Sequence, residues 1–157
     1  MVFGLRGILL IRKMAKEKIL ISACFLFGGY KYNGMDNFNP RIKSLEDKYE
    51  LVFFCPEVMG GLKTPREPAE IKGDRVINRL GLDVTDNYLN GARKALALCL
   101  KYDIKKALLK AFSPSCGHDL IYDGTFSHTK IKGDGVTVKL LKKHNITVFD
   151  EAEIDKL

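Results

Sequence analysis

The sequence contains no uninterrupted apolar run approaching the roughly 18 residues that a membrane-spanning helix needs. It also lacks a secretion signal, because in MVFGLRGILLIRK the later positive charges follow the apolar stretch and no small-residue cleavage site comes after it. The polar excess of disordered chains is missing too, since 46% of the 157 residues are hydrophobic and 29% are charged. These absences exclude a transmembrane or disordered chain and predict a folded cytoplasmic protein without membrane partners.

The chain also lacks internal repeats, low-complexity tracts and a G-x-G-x-x-G dinucleotide-binding motif after a strand. Acidic residues are fewer than basic ones, 19 against 26, which gives a formal net charge of +7. This charge favours anionic partners without naming one, and a lysine-coated surface of a soluble protein explains it as well. Disulfides are rare in the cytoplasm, so the four cysteines need another role.

Apolar runs alternate with helical patterns along most of the chain. Strands are predicted over residues 18–24, 50–55, 105–112 and 146–149, and helices over 40–49, 85–102 and 136–144. Two long stretches rich in glycine, proline or charge, 56–87 and 117–135, are predicted to be loops, apart from a short strand or hairpin near 75–77.

This alternation predicts a single α/β domain over residues 18–157, preceded by an extension over residues 1–17. We expect a largely parallel, Rossmann-like sheet with helices on both faces. Long Pro/Gly-rich loops are expected at the carboxyl ends of the strands, where ligands bind in open parallel sheets.

Three of the four cysteines follow predicted strands directly. Cys24, Cys55 and Cys116 each stand at a predicted strand end or just after it, and a glycine- or proline-containing loop follows. If those strands are neighbours, the three thiols converge at one edge of the sheet. Cys99 falls inside the helix over 85–102 and is expected in the core, which is also the ordinary place for a single cysteine.

Three converging thiols suit either a zinc ion or an iron–sulfur cluster, and the softness of sulfur does not separate the two. A cubane held by three cysteines differs from one held by four because it leaves one iron open to a substrate. His118 is the nearest candidate for a fourth ligand, but a residue two positions after Cys116 usually points elsewhere.

Seven short motifs in one order resemble the thiouracil desulfidase family, and together they cover almost everything from residue 18 to residue 149. The motifs are ISAC (21–24), CPEVMGGL (55–62), TPREPAEI (64–71), DVT (83–85), SPSCG (113–117), IYDGTF (121–126) and GDGV (133–136). Two departures from the family pattern are the KYNG turn over 31–34, which lacks a carboxylate, and Phe112 in place of a charged residue. Both bear on which substrate is bound more than on cluster binding.

The resemblance implies a 4Fe–4S cluster bound by Cys24, Cys55 and Cys116. Its open iron would take the sulfur of a thiolated nucleobase such as thiouracil, or of a related small thioamide, and release the oxygenated base. The resemblance also implies that Glu57 is the catalytic acid and that the catalytic serine is Ser113 or Ser115.

The residue types fit that chemistry, although each has an ordinary structural explanation. Glu57 could move a proton between water and a ring nitrogen, and one of the serines could hold the water. Equally, the carboxylate and the hydroxyls could bond backbone N–H groups in turns. Arg66, between two prolines, could bind the substrate's carbonyl edge in a fixed fork or pair with Glu70 and lock the loop.

Two other classes of protein fit part of the same pattern. The basic charge is compatible with binding of nucleic acid, and thiolated bases occur in transfer RNA. A basic stripe interleaved with aromatic residues would support this class, but Tyr30-Lys-Tyr32 is the longest such run. A zinc-stabilised or redox-sensing domain would also use three cysteines. A brown, anaerobically purified sample would favour the cluster over both alternatives.

Overall fold

The computed structural model describes residues 15–157, so most of the predicted N-terminal extension, residues 1–14, lies outside the described residues. The first strand begins at Glu17, one residue before the predicted domain boundary. In residues 15–157 no helix combines the length and the apolar character that crossing a membrane requires.

The secondary structure alternates as the sequence predicts. The strands are β1 (Glu17–Ser22), β2 (Tyr49–Phe54), β3 (Ala69–Lys72), β4 (Arg75–Asn78), β5 (Lys106–Leu109), β6 (Leu120–Tyr122), β7 (Lys130–Lys132) and β8 (Thr147–Asp150). The α-helices are α1 (Pro56–Met59), α2 (Thr85–Lys101) and α3 (Val136–Lys143), and the longer 3-10 helices are Pro40–Asp47 and Glu151–Lys156.

A four-stranded parallel sheet with the order β2-β1-β5-β8 forms the centre of a single α/β domain. The chain passes from β1 to β2 on one side and then crosses to β5 on the other. In parallel sheets of this kind the ligand crevice lies at the carboxyl ends of the strands where the order reverses. Here the strand order reverses at β1, which lies between β2 and β5.

Successive residues of the strands point to opposite faces of the sheet, and each face has its own core. Leu20 and Ala107 pack against buried residues of α2 and α3 on one face. Ile19 and Leu108 pack on the other face, against Ile42 and other buried side chains from the two longer 3-10 helices. The α-helices therefore cover one face of the sheet and 3-10 helices cover the other.

Helix α1 is short and packs closely against α2, which fixes the residues that follow β2. Gly91 makes this approach possible, because a Cβ atom there would lie 1.9 Å from the carbonyl oxygen of Pro56. Any larger side chain at position 91 would push α1 away from α2. The position of the CPE motif therefore depends on a glycine more than 30 residues further along the chain.

Two antiparallel hairpins, β3-β4 and β6-β7, lie beside the main sheet and share a small core that contains Ile71, Val76, Tyr88 and Ile121. The first hairpin extends the strand predicted near 75–77. The second corrects the prediction that residues 117–135 form only a loop. All three residues of its outer strand β7 are exposed, and a strand of three residues is too short to show the alternating pattern by which a strand is recognised.

Three predicted boundaries differ from the structure. The strand predicted over 105–112 ends at Leu109, so Cys116 lies in a turn seven positions later and not at the strand end itself. Residues 56–87 include α1, β3 and β4 and are less irregular than predicted. The helix predicted over 85–102 ends one residue earlier, at Lys101, and the hydroxyl of its first residue, Thr85, accepts a hydrogen bond from the Val76 N–H at 2.9 Å.

Candidate functional site

A cavity of about 360 Å³ opens at the carboxyl ends of β1, β2 and β5, which are adjacent strands. A volume of this size is typical of a small-molecule site. The cavity is lined by all three cysteines of the predicted site and by Glu57, Arg66 and Ser113. The structure therefore brings together six of the seven residues singled out from the sequence, and Ser115 is the exception.

The three cysteines reach the cavity from different local structures. Cys24 is in the 3-10 helix Ala23–Phe25, which follows β1 directly. Cys55 precedes α1 as its N-cap, and Cys116 is in the turn after β5. All four cysteines of the chain are free thiols. Cys99, on α2, is packed in the hydrophobic core and is not part of the cavity lining.

The spacing of the three sulfur atoms bears on what they could hold. Among the described residues, the only group of three potential ligands whose atoms all lie within 4.8 Å of one another is His118, Asp119 and Asp134, so at least two of the three sulfurs are farther apart than that. Thiolates on one tetrahedral zinc ion stand about 3.8 Å apart, given Zn–S bonds of about 2.3 Å. A donor set of three separated cysteines fits a multinuclear cluster better than a single zinc ion.

Burial raises the pKa of each of the three thiols above its ordinary value, most strongly for Cys116. The neighbouring Cys55 thiol and the Glu57 carboxylate raise the pKa of Cys116 further, because each would place a second negative charge close to a Cys116 thiolate. Three thiolates in this cavity therefore need a cationic partner, which a metal centre provides.

Glu57 is held in place by Arg66. The Arg66 Nε donates a hydrogen bond to Glu57 Oε2 at 3.0 Å, and Nη2 donates to the same oxygen. The remaining N–H groups of Arg66 are directed at Tyr30 O (2.8 Å), Thr64 Oγ1 (3.0 Å) and Lys63 O (3.4 Å). Since the guanidinium has five N–H groups, all of them have partners within the protein.

The partner of Arg66 is thus Glu57 and not Glu70, which corrects the pairing considered from the sequence. The side chain of Arg66 is only 9% exposed and that of Glu57 only 14%, so this ion pair is largely shielded from water. Because every N–H group of the Arg66 guanidinium has a partner, Arg66 positions the carboxylate of Glu57 and has no N–H left for a ligand.

The two serines of SPSCG have different surroundings. Ser113 lines the cavity, and its hydroxyl lies 3.4 Å from Glu57 Oε1 as a donor. Its Oγ also accepts hydrogen bonds from the backbone N–H groups of Ser115 and Cys116, both at 3.0 Å. Ser115 is fully buried, and its hydroxyl bonds to Thr137 Oγ1 at 2.8 Å.

The comparisons with known proteins identify the family of this chain. The family model for 2-thiouracil desulfurase matches residues 19–153. This protein belongs to the 2-thiouracil desulfurase family. The match spans both hairpins and the whole central sheet except the first two residues of β1, and it contains every residue that the resemblance assigned to the site.

Two relatives of this family member are informative. The uncharacterized protein YbbK of Bacillus subtilis (strain 168) is 41% identical over 151 residues, which is 88% of this chain and 99% of YbbK. The solved structure of TudS, described as a 4Fe–4S-dependent thiouracil desulfidase, is 44% identical with a TM-score of 0.85, and the match covers 90% of this chain and 95% of TudS.

The motifs of the family do not include two cavity residues, Tyr88 and Asn37, which only the fold brings to the site. Tyr88 is almost fully buried, and its hydroxyl lies beside Glu57; burial, with the Glu57 carboxylate as the next cause, raises the pKa of Tyr88 well above its ordinary value. Asn37 lines the cavity together with Cys24, and its side chain partly offsets the effect of burial on the pKa of that thiol. The sequence signal for Tyr88 was its place on the buried stripe of α2, whereas nothing in the sequence pattern indicated Asn37.

His118, considered from the sequence as a fourth ligand, is absent from the lining of the cavity. Its Nε2 lies 3.2 Å from both Asp119 Oδ2 and Glu153 Oε1. The two positions at which this chain departs from the family pattern do face the cavity, which Phe112, Lys31 and Tyr32 help to line.

Cys99 should react with alkylating reagents far more slowly than an unperturbed thiol does. Burial raises the pKa of Cys99 to about 11 from 9.0, so its thiolate fraction at pH 8 should be about 100-fold lower than that of an unperturbed thiol. Iodoacetamide labelling followed by mass spectrometry of the Cys99 peptide measures this. The rate should rise about tenfold per pH unit up to about pH 11, because the thiolate is the reacting form. Equal labelling rates in native and urea-unfolded protein at pH 8 would contradict the prediction.

Proposed function

We propose that this protein is a 4Fe–4S-dependent desulfidase that converts thiouracil, or a similar thiolated nucleobase, to the oxygenated base. The observation that carries this proposal is the convergence of Cys24, Cys55 and Cys116 with Glu57 on one cavity, in a chain of the 2-thiouracil desulfurase family. The similarity to TudS, whose description names the cluster and the activity, supports the assignment.

The overall reaction is a hydrolysis. Thiouracil and water give uracil and hydrogen sulfide, so a C=S bond is replaced by C=O and no net oxidation or reduction occurs. Bound by the three thiolates, a 4Fe–4S cluster supplies an iron without a protein ligand, which is a Lewis acid for the departing sulfur. The chain itself has to bind the ring, position the water and move its protons.

Glu57 is the residue best placed to move a proton. Its Oε2 is occupied by two N–H groups of Arg66, which leaves Oε1 for proton transfer on the cavity side. There it can take a proton from water as the C–O bond forms and return it to the sulfur or the ring nitrogen. Arg66 acts through Glu57 and is therefore a positioning residue rather than the substrate-binding residue considered from the sequence.

Ser113 connects this carboxylate to the cysteine loop. Its hydroxyl donates toward Glu57 Oε1 while its oxygen accepts the N–H groups of Ser115 and Cys116. The turn that presents Cys116 and the group that handles the proton are thus linked through one side chain. Ser113 is our proposed catalytic serine, and Ser115 has a structural role.

The surroundings of the site fit a small, planar substrate. Aromatic side chains of Tyr30, Phe112, Tyr122 and Phe126 line the cavity. We propose that the loops after β1 and α1, which include Gly28, Gly29 and Pro65, wall this pocket at the carboxyl ends of the strands. Three free thiols at a metal site suit the reducing cytoplasm, where we expect the protein to act.

The decisive experiment is turnover by anaerobically reconstituted protein. Cluster-loaded wild-type protein should bleach the thiocarbonyl absorbance of 2-thiouracil and release one sulfide for each uracil formed. Cluster-free protein from the same preparation is the control and should be inactive. Failure of loaded protein to convert any thiolated nucleobase would overturn the proposed function.

The two serines should separate when each is changed to alanine. Ser115→Ala leaves the buried Thr137 hydroxyl without its partner and should lower the free energy of unfolding by about 1–3 kcal/mol, with turnover near wild type. Ser113→Ala should lower kcat/KM about 10- to 100-fold, because a hydrogen bond to a charged group is lost. Urea unfolding and steady-state assays of both variants measure the split, and equal losses of activity would contradict it.

A further inference from the structure

Glu70 is a buried carboxylate that none of the steps above uses. It is in β3, is only 7% exposed, and still contributes to the lining of the cavity. Its Oε2 accepts hydrogen bonds from the backbone N–H groups of Gly124 at 2.9 Å and of Phe126 at 3.0 Å. Its side chain therefore connects the first hairpin with the loop between β6 and β7.

The other oxygen of Glu70 has a different environment. Among the described residues Oε1 has no hydrogen-bond donor, and it is not among the side-chain atoms that are sealed from solvent without a partner. Since Glu70 lines the cavity and its Oε2 is held by the loop, Oε1 is the oxygen left to accept a hydrogen bond from a ligand in that space. The arginine nearest in sequence, Arg66, is fully engaged with Glu57 and its own loop.

A carboxylate oxygen without a protein donor can exchange its water for a donor on a ligand, and it disfavours a ligand that displaces the water without supplying a donor. The substrate class of the proposed function carries such donors, because the C=S carbon of thiouracil is bonded to ring N–H groups. We propose that Glu70 Oε1 accepts a hydrogen bond from a ring N–H of the substrate and so selects thiolated bases that carry this N–H. This inference rests on the proposed function and adds a specificity-determining residue to it.

The geometry of the loop makes Glu70 a rigid acceptor. Gly124 has φ of +92°, and a Cβ atom there would lie 2.8 Å from the Ile71 carbonyl oxygen, so the loop packs directly on β3. Two N–H groups from this loop hold Oε2, which fixes where Oε1 points. A fixed acceptor-only group accepts N–H and disfavours a ring position that bears a lone pair or a methyl group.

Glu70→Gln is the sharpest variant, because it separates anchoring of the loop from recognition of the ring. The amide oxygen of Gln can still accept the Gly124 and Phe126 N–H groups, while the atom facing the cavity becomes an NH₂ donor. Asp74→Asn is the matched control. It removes one carboxylate from the same hairpin at an exposed position outside the cavity lining.

The assay compares cluster-loaded proteins on 2-thiouracil, 1-methyl-2-thiouracil and 3-methyl-2-thiouracil. Wild-type protein should use at least one methyl analogue about tenfold or more less efficiently than the parent compound. Glu70→Gln should lower kcat/KM for 2-thiouracil about 10- to 100-fold and reduce the penalty for that analogue to less than about threefold. Asp74→Asn should match wild type on all three compounds.

Several results would overturn the role of Glu70 while leaving the proposed function intact. These are wild-type activity of Glu70→Gln on 2-thiouracil, an unchanged methyl penalty in that variant, or equal use of all three compounds by wild-type protein. The last result needs no variant, so the inference can be refuted even if Glu70→Gln does not load a cluster.

Absence of turnover in every protein would instead overturn the proposed function, and binding then tests Glu70. Isothermal titration with uracil, which has the ring N–H groups but no sulfur, should give about 10- to 100-fold weaker binding to Glu70→Gln than to wild type. Equal affinity, or no binding to wild-type protein, overturns the inference.

Discussion

Replacing Cys24, Cys55 or Cys116 with alanine should abolish cluster retention and desulfidation. The three thiols lie in the segments that follow three adjacent strands and line one cavity, so none can substitute for another. Removing a residue that only hydrogen-bonds to a metal ligand costs about 10- to 100-fold in metal affinity, so loss of a ligand should cost at least that much. Iron and sulfide content and visible absorbance after anaerobic reconstitution measure the effect.

Cys99→Ala is the internal control for this series. Cys99 is 1% exposed in the core of α2, so the variant should lose stability by roughly 1–2 kcal/mol and still bind its cluster. Thermal unfolding of all four cluster-free variants separates ligand loss from misfolding. Full cluster content in a Cys24, Cys55 or Cys116 variant would remove that residue from the ligand set, and cluster loss in Cys99→Ala at unchanged fold would place Cys99 in it.

Glu57→Gln should retain the cluster yet lose most turnover, by about 10²- to 10⁴-fold in kcat. Glutamine keeps the shape of the side chain and can still accept a hydrogen bond from Arg66, but it cannot take up a proton at neutral pH. The substitution therefore isolates proton transfer from packing. Steady-state assays at saturating 2-thiouracil, with cluster content measured on the same samples, give the result.

Glu50→Gln provides a matched comparison, because Glu50 is an exposed carboxylate that pairs with Lys18 away from the cavity. It should leave kcat unchanged, since exposed ion pairs contribute little even to stability. If Glu57→Gln turned over thiouracil as fast as wild type at equal cluster content, Glu57 would have no part in proton transfer.

Much of the fold could be predicted from local patterns. The apolar run that became β1 is buried between two layers, and this burial is what makes its central residues continuously hydrophobic, whereas β2 at the edge of the sheet is mostly half-buried. Helix α2 was recognisable because its buried residues recur at helical spacing, from Tyr88 through Ala92 and Ala95 to Cys99. The β6-β7 hairpin was missed because its outer strand has only three residues, all of them exposed, and shows no strand pattern in the sequence.

The candidate site was predictable in its residue types but not in its contacts. Strand-end positions and ordered motifs singled out the cysteines and Glu57. No spacing along the chain could show that Arg66 pairs with Glu57 rather than Glu70, because all three residues lie within 14 positions and either pairing satisfies the charges. The choice depends on how α1 and β3 are oriented, and that orientation comes from long-range packing.

The sequence by itself determined the α/β class, the succession of the main strands and helices along the chain, and the family to which the chain belongs, because periodicity and motif order are local properties. The tertiary structure alone decided that β1, β2 and β5 are neighbours, that Ser113 faces Glu57 while Ser115 is buried against Thr137, and that Glu70 lines the cavity. The physical reason is that a side chain's partners are set by which distant elements pack together, and packing depends on the whole core rather than on neighbours in sequence.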